Sequence, residues 1–195
     1  MSDRTAPDAD TPDDRTTRLA ELVAALGSAN GTTRQQARHA LVRMGEPATG
    51  PLIEALGDRR RIVRWEAAKA LVDLRDTRAV GALVRALGDR DFSVRWLAAK
   101  ALIALEDDTL PPLLHALGSG KESFRLQEGA RHVLKGVRNE RTADIVDPVL
   151  AALRQSFDPE VAVPIAAEAA LGLLHRRDRQ ADRPAPVTER DAADG

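Results

Sequence analysis

A chain of 195 residues with no cysteine, no tyrosine, two tryptophans and three phenylalanines excludes disulfides, thiolate metal sites and cysteine nucleophiles, and leaves small aliphatic side chains to build the core. Its formal net charge of -1 argues against a surface devoted to phosphate backbones. No apolar run approaches the roughly 20 residues that span a bilayer, and the polar, acidic opening is unlike a signal peptide, so a cytoplasmic protein without membrane contact is expected.

Residues 1–17 are rich in Asp, Thr and Pro and hold too little apolar surface to fold, which predicts a disordered acidic tail. Residues 18–176 repeat themselves. LVAAL (22–26), LIEAL (52–56), LVRAL (83–87), LLHAL (113–117) and VLAAL (149–153) align, with final leucines 30, 31, 30 and 36 residues apart. Each is followed by a second segment, ending at Leu41, Leu71, Leu102, Leu134 and Leu171. Every unit is therefore a pair of helices, and the fold class is all-α, a stack of about five helical hairpins. Gly27, Gly57, Gly88 and Gly118 directly follow the last leucine of a first helix, where a left-handed C-terminal residue is expected. In the second helices Val63, Ala67, Ala70, Leu71 and Leu74, or Val94, Ala98, Ala101, Leu102 and Leu105, keep helical spacing and form one buried stripe. Residues 177–195, a mixture of Arg, Asp, Ala and Pro, are expected to be a second disordered, charged tail.

DTRAVGALVRALGDRDFSVRWLAAKALIAL (76–105) resembles a nearly complete HEAT repeat of the short, phycobilisome-lyase-like kind, which implies a right-handed α-α superhelix, a HEAT/armadillo-type solenoid. The resemblance implies that Asp58 with Arg64, and Asp89 with Arg95, bridge neighbouring repeats as a ladder and are structural. The ladder is expected to weaken toward both ends. Unit one has Ser28 in place of the Asp, unit four carries about two extra residues before its second helix, and unit five places Pro164 where the ladder Arg belongs. The family also implies that the second helices line the concave side.

Trp65 and Trp96 occupy the same repeat position, directly after Arg64 and Arg95. On a wheel of 100° per residue Trp65 lies nearly opposite the apolar stripe, so both indoles are expected to leave the core. Lys69 and Lys100 follow four residues later on the same side. A concave binding stripe is therefore expected from Trp65, Trp96, Lys69 and Lys100, with Val72 and Ile103 beside it and Arg61 and Arg90 at its rim. The equivalent positions elsewhere are Gln35 with His39, Glu128 with His132, and Ile165 with Ala169. His39 and His132 join the stripe as candidate ligand contacts or as partly solvated helix histidines. The alternative for the tryptophans is structural cover, each indole lying across the next repeat beneath its lysine.

No phosphate-cradling Gly-rich loop, HExxH motif or nucleophile elbow occurs. The four histidines sit in different repeats, none followed by Glu, so no metal, no cofactor and no catalytic residue is expected. The reading is a non-catalytic scaffold that binds a protein or peptide on its concave face. One alternative is a lyase-like or chaperone-like helper for a prosthetic group or client. Another is a nucleic-acid binder resembling the DNA alkylation-repeat proteins. The span 19–175 holds 21 Lys or Arg against 20 Asp or Glu, which argues against nucleic acid. From 59 to 100, however, eleven basic residues face five acidic ones.

Overall fold

The computed structural model describes residues 12–120, 123–155 and 158–181. Among them are ten α-helices and no strand: α1 (Pro12–Ala25), α2 (Gly31–Met44), α3 (Glu46–Ala55), α4 (Arg61–Leu74), α5 (Val80–Ala86), α6 (Phe92–Ala104), α7 (Leu110–Gly118), α8 (Phe124–Val137), α9 (Ala143–Gln155) and α10 (Pro159–Ala181). Short 3-10 turns, Thr77–Ala79 and Glu106–Thr109, lead into α5 and α7. Helices pair in sequence, and the second helices α2, α4, α6 and α8 stack side by side in one row. The result is an all-α solenoid whose single continuous core is built of Leu, Ala and Val with Ile145.

Local chemistry sets the boundaries. Asn30, Asp91 and Ser123 cap α2, α6 and α8, their side-chain oxygens accepting from Thr32 N at 2.8 Å, Ser93 N at 3.0 Å and Leu126 N at 3.3 Å, so orphan N–H groups are satisfied at each start. Ala67, Ala70, Ala98 and Ala101 are fully buried between helices, where their small side chains let the backbones approach. Leu71 and Leu102 beside them are buried as well.

Three expectations are corrected. The glycines after the first helices do not adopt positive φ. Gly27, Gly57 and Gly88 instead donate to the carbonyls of Ala24, Glu54 and Arg85 in a tightened last turn. The left-handed residues come after the second helices, at Gly45 (φ 69°), Arg75 (φ 52°) and Glu106 (φ 51°), and at Gly120 (φ 65°) beyond α7. A Cβ at Gly27 would meet only the guanidinium end of Arg60, a flexible and largely exposed side chain that can move aside.

The tails are the second correction. Helix α1 already begins at Pro12, with Asp13 and Asp14 in its first turn, a favourable N-terminus because Pro lacks the N–H and the carboxylates face the positive end of the dipole. Helix α10 runs through to Ala181, and its Arg177 donates to Asp144 at 2.7 and 2.8 Å and to the Arg141 carbonyl. The remainder of each expected tail, 1–11 and 182–195, lies outside the described residues.

The third correction concerns the last hairpin. Helix α10 packs along α7 and α9, while α9 is the neighbour of α8. Ile165 and Ala169 thus do not extend the row of second helices, although their repeat positions match. The position that carries Arg in α2, α4 and α6 is Pro164 in α10, and the buried face of α10, Val163, Ala167 and Ala170, is used against its neighbours.

Candidate functional site

The row α2–α4–α6–α8 presents its outer side as a ridged surface, and its middle holds a groove of about 430 Å³ lined by Trp65, Lys69, Val72, Asp73, Phe92, Ser93, Trp96, Leu97 and Lys100. Helices α4 and α6 position these groups through the four-residue periodicity that brings i, i+4 and i+8 onto one face. On α6 this aligns Phe92, Trp96 and Lys100; on α4 it aligns Arg61, Trp65 and Lys69.

Trp65 is half-buried and rests against the core, whereas Trp96 is 50% exposed. Lys69 Nζ stands over the Trp65 ring at 4.8 Å from its centroid, and Lys100 Nζ over the Trp96 ring at 5.6 Å. Each lysine thus meets the negative face of its own indole, and the two cation–π pairs repeat one another across the α4–α6 seam. Both indoles line the groove, but only Trp96 leaves the core, since Trp65 rests against it, and Val72 lines the groove with them.

Other expected members lie elsewhere. Ile103 is partly buried under α8, where a Cβ on Gly136 would stand 2.6 Å from its Cδ1; the missing side chain at Gly136 opens the space that Ile103 fills. His39 and His132 are exposed on α2 and α8, the two flanks of the row, and neither lines the groove. Arg61 reaches Asp91 at 3.8 Å, and Arg90 donates to the Arg59 carbonyl at 2.9 Å, so these two tie turns together.

The ladder residues do a related but different job from the expected one. Arg64 bridges the second and third units, donating from Nε to Asp89 at 2.7 Å and from Nη2 at 3.1 Å, with Nη1 on the Asp58 and Arg59 carbonyls. Arg95 donates to the Asp89 and Arg90 carbonyls and lies over the Phe92 ring at 5.5 Å. Asp58 does not meet the arginine of the first unit. It is held by Arg60, whose side chain and backbone N–H keep its carboxyl below the usual carboxylate range. Arg34 turns instead to Glu66 at 3.3 Å, while closing its own loop through the Ser28 and Ala29 carbonyls.

Two features were missed from the residues alone. Phe92 (69% exposed) and Phe124 (78% exposed) stand at the first position of α6 and α8, and their i, i+4 spacing from Trp96 and Glu128 was a readable signal. The other is the pairing of Arg38 with Glu66, both buried, between α2 and α4. A charged residue in a helical repeat reads as surface, and only the neighbouring helix reveals otherwise. The consequence for the surface is plain. Among the described residues Phe92, Trp96 and Phe124 are exposed and Trp65 is partly buried against the core; Trp65, Phe92 and Trp96 line the α4–α6 groove, whereas Phe124 lines a second groove with Leu153 and Arg154 of α9.

Residues 49–135 match the family described as HEAT repeats. Among solved structures, the chain is similar to the complex of CpcE and CpcF of phycocyanin lyase from Nostoc sp. PCC7120, at 26% identity and a TM-score of 0.52, covering 80% of this chain and 98% of that one. It is also similar to an engineered protein from a structural genomics consortium, at 23% identity and a TM-score of 0.42, covering 78% and 77%, and to a designed armadillo repeat protein, at 17% and 0.36, covering 80% and 99%. No curated protein matches the chain. Among the described residues no helix is long and apolar enough to cross a membrane.

Proposed function

The chain carries a run of HEAT repeats, and we propose that it is a non-catalytic scaffold whose 18–176 solenoid holds a protein or peptide partner against the outer side of its second-helix row. One observation carries this reading. Of the chain's five aromatic residues, Trp65, Phe92 and Trp96 line one groove between α4 and α6, and Phe92 and Trp96 are exposed there. Fully burying a large apolar side chain contributes about 1.5–3 kcal/mol, so Phe92, Phe124 and Trp96 add little to folding where they stand. They have the area and rigidity that anchor interfaces. The groove between α4 and α6 offers one carboxylate, one hydroxyl and two ammonium groups set over rings, an arrangement suited to contact.

The test is capture from the source cell's extract with the natural chain and with a Trp65→Ala, Trp96→Ala variant of unchanged helicity. A protein held by the first and lost by the second is the expected result. Identical retention by both moves the partner site away from the groove and returns the indoles to structural cover.

A second reading draws on the likeness to the phycocyanin lyase complex: a helper that holds a client protein or its prosthetic group. Pigment retained by the chain when both are produced together, and released by the same double substitution, would favour it over the first.

A further inference from the structure

We infer that the α4–α6 groove takes an acidic segment in an extended, polyproline-II-like conformation, a reading that rests on the groove being the partner site proposed above. Three observations converge. First, charge: Lys69 and Lys100 stand at the groove with Asp73 as the one carboxylate in its lining, while Arg61 at the start of α4 is already paired with Asp91. A partner bearing carboxylates complements this edge, and a basic one is repelled.

Second, spacing. Neighbouring stacked helices lie roughly 8–10 Å apart, so repeat-equivalent positions such as Trp65 and Trp96 recur across the row at about that interval. A polyproline II segment has three residues per turn and a rise of about 3.1 Å, so side chains return to one face about every 9 Å. A segment lying across α4 and α6 therefore sets residue i against one indole and residue i+3 against the next. Flat aromatic surfaces suit such a segment because its proline rings are already ordered and lose little entropy on docking.

Third, the rings themselves. One face of each indole is covered by its own lysine, at 4.8 and 5.6 Å. A carboxylate arriving from a peptide pairs with the ammonium where it stands and leaves the remaining ring surface for apolar contact. The near-neutral balance of the span 19–175, 21 basic against 20 acidic residues, favours an acidic peptide over a phosphate backbone.

Trp65 and Trp96 are the only tryptophans in the chain, so intrinsic fluorescence reports on the groove and nothing else. The probe is a synthetic peptide of about five proline–proline–glutamate triplets, titrated at low salt into the full chain. The expected result is a saturable change in tryptophan emission, absent with a proline–proline–lysine peptide. Lys69→Glu with Lys100→Glu should weaken binding by about tenfold or more at unchanged helicity, and Lys→Gln at both positions should weaken it less.

No change in emission, or equal changes with the acidic and basic peptides, overturns the inference. Equal binding of a flexible glycine–serine–glutamate peptide overturns its extended geometry. Tighter binding of a single-stranded oligonucleotide of the same charge assigns the groove to nucleic acid, and an emission change on raising protein concentration alone assigns it to a second copy. A partner captured through the tryptophans that contains no acidic segment leaves the scaffold reading standing and removes this one; capture that ignores the tryptophans removes both.

Discussion

The seam between α2 and α4 and the seam between α4 and α6 are built from equivalent repeat positions and solve the same packing problem in opposite ways. Between α2 and α4, Arg38 and Glu66 face each other with 6% and 3% of their side chains exposed, and Arg34 adds a second cation to the same carboxylate. One repeat later the matching positions are Ala68 and Leu97, both buried and apolar, and the ion pair has moved to Arg64 and Asp89. Buried ions lose hydration that their mutual attraction only partly returns, so an ionic seam and an apolar seam of similar volume differ little in stability. They differ in what happens when one member is removed. The ionic seam also carries a cost visible in the structure: among the described residues, Arg38 Nε is buried with no hydrogen-bond partner, a small deficit beside the apolar alternative.

The largest effect is expected from Glu66→Ala, which leaves Arg38 buried without a carboxylate and should cost about 3–5 kcal/mol, read as a lower midpoint in urea denaturation. Adding Arg38→Ala and choosing Glu66→Leu copies the Ala68 and Leu97 solution into the first seam. That double variant is expected to recover most of the loss; a midpoint as low as that of Glu66→Ala would show that the first seam depends on its charges.

Next in size is overpacking. Ala37, Ala67 and Ala98 hold one position in three successive repeats and are all buried. Leucine at Ala67 or Ala98 should destabilise by about 1–3 kcal/mol, because both neighbouring layers are aliphatic and closely set. An unchanged thermal melt would mean that the second seam is looser than the first, and the same change at Ala37 gives the reference.

A smaller, pH-dependent effect belongs to the opposite side of the stack. Asp76 accepts from the Arg78 side chain, from the Thr49 hydroxyl at 2.7 Å and from the Arg78 N–H at 3.0 Å. The Arg78 guanidinium holds its carboxyl far below the usual carboxylate range, burial pushes the other way, and Thr49 and the backbone bond add to the lowering. A carboxyl depressed on folding stabilises above its unfolded value of about 3.9 and loses that contribution as the pH falls toward the folded one. Asp76→Asn should therefore lower stability by on the order of 1 kcal/mol near neutrality and flatten the acid limb of the stability curve below about pH 4. An acid limb identical to that of the natural chain would detach Asp76 from the fold's response to acid.

The least costly changes to the fold are on the groove. Removing Lys69 or Lys100 forfeits a cation–π contact of about 0.5–1 kcal/mol at an exposed site, and Trp96→Ala should alter the melting temperature little, because half of that side chain is in solvent. The corresponding positions in the first unit, Gln35 and His39, are exposed and polar. Placing Trp and Lys there should widen the aromatic surface without changing the melt; a drop comparable to that of Ala67→Leu would show that this face has a packing duty.

The order of helices, their pairing and the buried stripe were legible because they follow from spacing: a leucine or alanine repeated every three or four residues has one face to bury, and a unit repeated every thirty residues has only its neighbours to bury it against. The exposure of Trp96 followed from the same wheel, whereas Trp65 rests half-buried against the core. Other features depended on which helix stands next to which. Nothing in Glu66 marks it as interior until α2 brings Arg34 and Arg38 to it. Ile103 was equivalent by repeat to groove-lining Val72 until α8 covered it across Gly136. Repeat register made α10 a fifth second-helix, yet it lies along α7 and α9. Periodicity along one chain states what a helix will hide, whereas the partner it hides against is settled by contacts between segments far apart in sequence, and those contacts decided where the charges are buried and where the groove opens.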